Sequence, residues 1–310
     1  MVREIKIYSP ATVSNIGCGF DTMGFALDEP CEEIVLRTSQ KQGIRVVNIT
    51  GDHGEIPYDN NQNTATKALM AFVEKHPIDF GVEIEIHKKM GLGSGLGSSA
   101  ASAVSSVYGL NYLLGNPFDN NQLLLFALEG EKIASKATHA DNVAPCLFGG
   151  FVLISSYDPI NIIKLPIPKD LYCAIIHPQI EIKTSEARAL LGDSIELKDA
   201  VAQWGNVGGL VAGLYKSDYE LIGKSIKDKV AEPHRSKLIP GYEVIKKSAY
   251  NAGAIGCNIS GSGPAMFALA VTKETAQKVA EAMKNACDNI NVENKTYVSS
   301  INEHGPLIKE

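Results

Sequence analysis

A stretch rich in glycine and serine, GLGSGLGSSAAS from Gly91 to Ser102, is the part of the sequence best suited to chemistry. Glycines let the backbone turn its N–H groups toward one point, and Ala100–Leu114 predicts a helix whose N-terminus adds positive potential. The hydroxyl groups of Ser98 and Ser99 can cap that helix, bind phosphate or approach a metal ion. The stretch therefore predicts a cradle for the phosphates of a nucleotide.

The same stretch could also be a flexible turn with a serine N-cap, a Walker A loop, or a dinucleotide-binding fingerprint. A Walker A loop is excluded because no Lys-Ser or Lys-Thr pair follows the last glycine. Gly95–Ala100 fits G-x-G-x-x-A, but a further helix is predicted next, where a βαβ unit would have its second strand. From the residues alone, the stretch is either a capped turn or a phosphate cradle.

Charged residues that could bind a small charged molecule lie far apart in the sequence. The candidates are Asp21, His139, Arg188 and Arg235. Taken one at a time, Asp21 is as well explained as the cap of a turn, and His139 as a structural histidine. Taken alone, each arginine is more typical of a solvated surface residue than of a ligand-binding one. Only the surrounding motifs can decide among these interpretations.

The elements that must position these residues alternate in the N-terminal half between strands and helices. The predicted strands are Glu4–Tyr8, Glu33–Arg37, Arg45–Ile49 and Val82–His87, and the predicted helices are Thr64–Lys75, Ala100–Leu114 and Asn120–Ser135. The glycine-serine stretch thus lies between a strand and a helix.

The C-terminal half is predicted to contain five strands and a clearly amphipathic helix. The strands are Gly149–Ser156, Tyr172–Ile176, Gly256–Ile259, Ala265–Val271 and one near Tyr297, and the helix is Lys273–Cys287. The proline-rich segment KLPIPKD separates the first two of these strands, and we place a domain boundary there. The prediction is an α+β fold with a nucleotide-binding domain at 1–165 and a second domain at 166–310.

Length and composition exclude several other classes of protein. A chain of 310 residues with 45% apolar and 21% charged residues can bury a large core. The net charge of −6 disfavours nucleic acid as the main partner. The N-terminus lacks the apolar core of a signal peptide, and no apolar run has the length of a membrane span. Six scattered cysteines suit reduced thiols, so we expect a cytoplasmic protein.

Three segments in sequence order resemble motifs of the GHMP kinases (galactose, homoserine, mevalonate and phosphomevalonate kinases). They are SPATVSNIGCGFDTMG at Ser9–Gly24, GLGSSAA at Gly95–Ala101 and NISGSGPAMFAL at Asn258–Leu269. The resemblance implies a ribosomal-S5-like N-terminal domain, a ferredoxin-like C-terminal domain and ATP bound between them. It also implies Mg²⁺ as a cofactor and a homodimer. The sequence departs from the family at Gly91, where proline is usual.

The resemblance assigns ATP binding to the whole glycine-rich stretch. The residues so assigned are Gly91, Leu92, Gly93, Ser94, Gly95, Leu96, Gly97, Ser98, Ser99, Ala100 and Ala101.

Within this family, the sequence is similar to the homoserine kinases. The segments that carry this similarity are NIGCGFD at Asn15–Asp21, HADNVAPCLFGG at His139–Gly150, TSEARALL at Thr184–Leu191 and EPHRSKLIPG at Glu232–Gly241. The similarity implies phosphorylation of L-homoserine by ATP, a step of threonine biosynthesis. The residues it places around the amino acid are Asn15, Asp21, His139, Asn142, Arg188 and Arg235. The two arginines would bind the carboxylate and Asp21 the ammonium group.

The catalytic set implied by the resemblance is Glu131, Asn142 and Ser99. Glu131 matches the family's Mg²⁺ carboxylate and Ser99 its companion hydroxyl, with Glu129 and Ser98 as rivals two residues and one residue away. Asn142 stands where related kinases place an aspartate base, and a neutral amide cannot accept a proton. We expect Asp141 to point elsewhere, because adjacent residues of a helix or strand do not share a face. The prediction is therefore that no side chain acts as a general base.

Two other functions remain open from the sequence. One is a GHMP kinase for mevalonate, a sugar or a polyol, which the absence of a lysine just after Pro10 disfavours. The other is a non-catalytic binding protein of the same fold, which would have no need of a metal-binding carboxylate.

Overall fold

The structure is a computed structural model that describes residues 3–135 and 139–309. The strands are β1 Glu4–Ser14, β2 Met23–Ser39, β3 Ile44–Thr50, β4 Gly81–His87, β5 Phe151–Tyr157, β6 Ile160–Leu165, β7 Leu171–Pro178, β8 Gly256–Ile259, β9 Met266–Val271, β10 Asn294–Ser300 and β11 Leu307–Lys309. The helices are α1 Thr64–Lys75, α2 Ser98–Leu113, α3 Asn120–Ser135, α4 Val143–Phe148, α5 Thr184–Ala189, α6 Leu197–Lys216, α7 Tyr219–Ser225, α8 Glu232–Arg235, α9 Tyr242–Asn251 and α10 Lys273–Asp288.

A sheet of seven strands forms the first half of the molecule. Its strand order is β11-β1-β2-β4-β3, with β5 paired to the start of β2 and β6 paired to β5. The pairing is antiparallel except between β3 and β4. Helices α1, α2 and α3 pack on one another and α2 packs on β1 and β2, which buries the apolar faces of both layers.

A second sheet has four antiparallel strands in the order β10-β7-β9-β8, of which β7, β8 and β9 are buried on both faces. Because side chains alternate along a strand, Cys173 and Ile175 of β7 join the main core, whereas Ala174 and Ile176 join a smaller core beneath α9 and α10. Phe267 of β9 meets Phe25 of β2 with ring centroids 5.9 Å apart. The two sheets therefore share one core.

Most predicted elements agree with the structure, and α1 begins and ends as predicted. The strands near the N-terminus are longer than predicted, since polar residues in β1 and β2 interrupt the alternation that marks a strand in the sequence. The sequence analysis missed β6 and β11, which are short and mostly exposed. Among the described residues, no helix is both long and apolar enough to cross a membrane.

Candidate active site

A cavity of about 350 Å³ opens between the two halves of the chain. The predicted residues that line it are Asn15, Asp21, Leu92, Gly93, Ser94, Gly95, Gly97, Ser98, Ser99, Ala100, Glu131, His139, Asn142, Arg188 and Arg235. Gly91, Leu96 and Ala101 are not part of its lining. The three segments with family motifs are joined here, because Gly261 N–H donates to the Ser14 carbonyl and the Ser260 hydroxyl donates to the Gly95 carbonyl at 2.7 Å.

The glycine loop, residues 91–97, connects β4 to α2, and two of its positions, Gly95 and Gly97, exclude a side chain most strongly. Gly97 has φ +71°, and a Cβ there would lie 2.0 Å from the Thr12 hydroxyl oxygen. Gly95 has φ +79°, and its Cβ would lie 2.5 Å from the Ser260 carbonyl oxygen. A side chain at either position would combine left-handed backbone strain with a collision. At these two glycines, the backbone of the loop therefore lies directly against the Ser9–Gly24 segment and the Asn258–Leu269 segment.

Helix α2 begins two residues earlier than predicted, and its N-cap is Gly97 rather than a serine. No side chain caps it, so the interpretation of this stretch as a turn with a serine N-cap is wrong. Ser98 is buried and donates to Glu32 Oε1 at 2.5 Å. Ser99 instead donates to Glu131 Oε1 at 2.5 Å. The two adjacent serines thus point in different directions, because successive residues of a helix are rotated by roughly 100°.

A buried lysine, which the sequence analysis did not single out, lies against the start of α2. Lys88 Nζ donates to the Ser98 carbonyl at 2.8 Å, the Ser98 hydroxyl at 2.7 Å and the Ser102 hydroxyl at 2.7 Å, and Glu32 Oε1 is 3.6 Å away. Burial lowers the pKa of Lys88, and the neighbouring carboxylates Glu32 and Glu131 oppose this effect. The lysine lines the cavity and brings positive charge to the place where phosphates are expected.

The rival carboxylates Glu129 and Glu131 lie on different sides of α3. Glu131 lines the cavity and binds Ser99, whereas Glu129 is exposed and pairs with Lys132 at 2.5 Å. Burial raises the pKa of Glu131, and Ser99 and Lys88 counteract the rise. Among the described residues, no cluster of three or more His, Cys, Asp or Glu could hold a metal. One carboxylate beside a phosphate cradle suits Mg²⁺, which keeps several water ligands and binds nucleotide phosphates.

The structure gives a reason for the glycine at position 91, where the family usually has proline. A Cβ at this position would lie 2.9 Å from Cε1 of His177, a buried residue of β7. Burial lowers the pKa of His177 to about 4, so the ring is neutral near pH 7. The imidazole therefore fills the space that a side chain at position 91 would take, which favours glycine there.

The charged residues predicted around the substrate form a cluster, which we call the charged cluster. Arg188 donates to both carboxylate oxygens of Asp21, at 2.9 and 2.7 Å, and His139 Nδ1 lies 3.6 Å from Asp21. The Asp21 pair raises the pKa of Arg188, whereas burial lowers the pKa of His139. Arg188 and Arg235 both contact the ring of Phe20, with guanidinium carbons 5.0 and 5.3 Å from its centroid.

Arg235 belongs to the charged cluster but is only 3% exposed. Its guanidinium donates to the Gly261 carbonyl at 2.8 Å, and Asn15 Nδ2 donates to the same oxygen at 3.1 Å. Asn15 also accepts from the backbone N–H of Asp21 at 3.0 Å. Burial lowers the pKa of Arg235, although the group remains a cation at any ordinary pH. Asn15 thereby joins the N-terminal motif to the C-terminal glycine motif.

The prediction that Asp141 points away from the site is wrong, because both Asp141 and Asn142 line the cavity. They lie in a turn just before α4, where the alternation rules for helices and strands do not apply. Asp141 is 4% exposed, and burial together with the charge of Asp21 raises its pKa to about 7. Asp141 thus adds a carboxyl group to the cavity in addition to that of Asp21 in the charged cluster.

Several lining residues were missed by the sequence analysis. Apolar lining comes from Ile56, Pro57, Ile86, Leu92 and Ile133, of which only Leu92 had been singled out. Thr184, Gly261 and Ser262 also line the cavity and belong to segments already matched to the family. These last three could have been found from the motifs, whereas the apolar group lacks any local pattern.

Two family models match the chain, GHMP kinases N terminal domain over residues 63–150 and GHMP kinases C terminal over residues 210–289. The structure is also similar to L. major mevalonate kinase, with a TM-score of 0.72 over 96% of each chain, but at 16% identity this likeness shows the fold alone. The chain belongs to the GHMP kinases, and its fold is the α+β fold of that family with its N- and C-terminal domains.

More specific relatives are homoserine kinases. One from Chlorobium phaeobacteroides (strain BS1) is 44% identical over 99% of this chain and 100% of its own. The crystal structure of homoserine kinase from Cytophaga hutchinsonii is 54% identical and superposes with a TM-score of 0.96, over 99% of this chain and 97% of that one. Within the GHMP kinases, the chain belongs with the homoserine kinases.

Proposed function

We propose that the protein transfers the γ-phosphoryl group of ATP to the hydroxyl group of L-homoserine. The observation that carries this proposal is that the glycine loop and the charged cluster line one cavity. A kinase for a zwitterionic alcohol needs both, since the phosphates require N–H donors and the amino acid requires paired charges.

The polyphosphate of ATP lies along the glycine loop and the N-terminus of α2, with Lys88 beside it. Backbone N–H groups and the helix dipole stabilise its negative charge, and the Lys88 ammonium group lies at the same helix N-terminus. The adenine base packs among the apolar lining residues contributed by the first half of the chain. Mg²⁺, bound by Glu131 with Ser99, would neutralise charge on the transferred phosphoryl group.

L-Homoserine lies across the charged cluster. Arg188 and Arg235 bind its carboxylate, and Asp21, His139 and Asn15 surround the remaining polar groups. Asp21 is already paired with Arg188, so part of its negative charge is compensated before the substrate binds. Asp141 therefore supplies a second carboxylate for the ammonium group of homoserine.

Asn142 holds the reacting hydroxyl group. Its Oδ1 lies 3.0 Å from the position that a Cβ of Gly97 would occupy, so this side chain meets the glycine loop directly. The charges of Asp21 and Arg235 act on Asp141, whose carboxyl group lines the same cavity. These observations support an ammonium group bound by Asp141 and a hydroxyl group bound by Asn142. No side chain removes the proton of the hydroxyl group; it passes late in the reaction to the phosphoryl group or to water.

The pathway, the cellular compartment and the oligomeric state are proposed from the resemblance to the homoserine kinases. The product, O-phospho-L-homoserine, feeds threonine biosynthesis, the enzyme functions in the cytoplasm, and two copies form a homodimer without a role for nucleic acid. Six unpaired cysteines support a reducing compartment. Exposed Leu197, Val201 and Trp204 of α6 offer apolar surface for a second copy. We also propose the domain boundary between residues 165 and 166.

An assay of ADP release tests the proposed function directly. The purified protein is supplied with ATP and Mg²⁺ and with homoserine, mevalonate, galactose or shikimate in turn. Turnover with homoserine at least about tenfold above the others is expected, since only homoserine satisfies the paired charges. A preference for mevalonate or galactose would support another GHMP kinase activity. Binding of ATP and homoserine without ADP release would support a non-catalytic binding protein.

A further inference from the structure

The first motif holds the Asn142 side chain from two directions. Thr12 Oγ1 lies 2.7 Å from Asn142 Oδ1, and Asn142 Nδ2 donates to Ser14 Oγ at 3.1 Å. Thr12 and Ser14 are alternate residues of β1, so their side chains share one face of the strand. Thr12 is fully buried and Ser14 is 1% exposed. These two buried hydroxyl groups therefore hold the Asn142 amide by hydrogen bonds at both of its polar atoms.

The same hydroxyl of Thr12 touches the glycine loop. Its oxygen lies 2.0 Å from the position of a Cβ at Gly97, and Thr12 N–H donates to the Leu96 carbonyl at 3.0 Å. Thr12, Asn142 and Gly97 are thus in mutual contact, although 130 residues separate the first two. The threonine therefore contacts both the phosphate-binding backbone and the amide assigned to the reacting hydroxyl.

The hydrogen bonds give the amide one orientation. Asn142 Nδ2 donates to the Ser14 hydroxyl, so Asn142 Oδ1 faces Thr12. An amide oxygen can only accept, so the Thr12 hydroxyl is the donor in this contact. The hydrogen bonds therefore run from Thr12 to Asn142 and from Asn142 to Ser14.

We propose that Thr12 is a positioning residue whose hydroxyl fixes the Asn142 amide against Gly97 and thereby sets where the acceptor hydroxyl group is held relative to the phosphates. This rests on the proposed function, in which that hydroxyl group belongs to homoserine. Valine has the shape of threonine but no proton to donate, so Thr12→Val would leave Asn142 Oδ1 without a partner and free the amide to turn. Thr12→Ser keeps the donor and loses only a methyl group.

Steady-state kinetics on the full chain, with ATP and Mg²⁺, test the proposal. Thr12→Val should lower kcat by about tenfold, the effect of about one lost hydrogen bond in the transition state, with the Kd for ATP unchanged. Thr12→Ser should recover most of kcat. The matched control is Thr38→Val in β2, which removes a hydroxyl that accepts from Arg3 N–H and should leave kcat unchanged. Full kcat in Thr12→Val, or equal losses in the valine and serine variants, would overturn the proposal.

A spectroscopic measurement separates this proposal from the proposed function. The side-chain amide resonances of Asn142 are identified by their disappearance in Asn142→Asp and are followed in the substrate-free protein. They should shift in Thr12→Val and return in Thr12→Ser. Resonances that do not move in Thr12→Val would overturn the positioning role, whatever substrate the enzyme uses. If the wild-type protein fails to phosphorylate homoserine but these shifts occur, only the proposed substrate is wrong.

Discussion

The glycine loop and the charged cluster, proposed to bind ATP and homoserine respectively, are built in different ways. The glycine loop is a continuous segment that presents backbone N–H groups and a helix N-terminus, and side chains are excluded from Gly95 and Gly97. The charged cluster is assembled from side chains of four distant segments, and its arginines are held by Asp21, Phe20 and the Gly261 carbonyl. The glycine loop depends on the absence of side chains, whereas the charged cluster depends on which side chains meet.

The two regions should therefore fail in different ways. A backbone cradle tolerates no added atoms, so a single side chain should destroy it. A cluster of paired charges loses one contact at a time, so each truncation should weaken substrate binding by a limited amount. We expect the largest effect from a side chain added to the glycine loop and smaller effects from truncations in the charged cluster.

Gly97→Val should abolish useful ATP binding, with the Kd rising at least about 100-fold. The added side chain would meet the Thr12 hydroxyl and would sit on a backbone with φ +71°. Calorimetry with ATP measures the change. Gly115→Val is the matched control, since Gly115 has φ +81° but no atom within 4 Å of its Cβ position. Near-normal ATP affinity in a folded Gly97→Val variant would contradict the phosphate cradle.

Glu131→Ala should lower kcat by more than about 100-fold, because it removes the carboxylate proposed to hold the charge-neutralising metal ion. Asn142→Ala should lower kcat far less, since the amide only orients the hydroxyl group. Glu129→Ala, two residues away and exposed, is the control and should behave as wild type. Measurements of kcat at saturating ATP and homoserine show which variant loses the most activity. A greater loss in Asn142→Ala than in Glu131→Ala would contradict this mechanism.

Arg188→Ala and Arg235→Ala should each weaken homoserine binding by about 1.5–3 kcal/mol, the usual scale for a charged hydrogen bond. The affinity for ATP should change little, because both arginines belong to the charged cluster and are assigned to the carboxylate of the amino acid. Arg45→Ala, which breaks an ion pair with Glu83 on the first sheet, serves as the control. Should either cavity variant bind homoserine as tightly as wild type, that arginine has no part in carboxylate recognition.

Asp141→Asn should make the KM for homoserine large and insensitive to pH, whereas the wild-type KM should fall as pH rises through about 7. The carboxylate must lose its proton to bind an ammonium group, and burial with Asp21 nearby delays that loss. The same raised pKa predicts that wild-type stability declines from about pH 4 to about pH 7, because the unfolded protein ionises this group first.

Thermal unfolding gives the second readout for this variant. Asp141→Asn should unfold at a higher temperature than wild type above pH 7 and near the wild-type temperature at pH 4. Complete loss of turnover in Asp141→Asn, with ATP and homoserine binding intact, would show that Asp141 is a general base and that the mechanism without a base is wrong.

The order of the motifs in the sequence was enough to predict the family, the fold and the position of the glycine loop. Glycine spacing, a preceding strand and a following small-residue helix are local features, so they can be recognised without knowledge of distant contacts. The helix α1 was predicted to the residue because its apolar side chains recur at helical spacing between Asn63 and His76.

The direction in which each of two neighbouring side chains points follows from the folded chain and not from the sequence. Glu131 and Glu129 are on different sides of α3, Ser99 and Ser98 diverge at the start of α2, and the turn at Asp141 brings adjacent side chains to one cavity. The direction of a side chain depends on local backbone rotation and on where the partner segment packs. The contact of His177 with the Gly91 position joins residues 86 positions apart, and the contact of Thr12 with Asn142 joins residues 130 positions apart. Only the folded chain brings these pairs together.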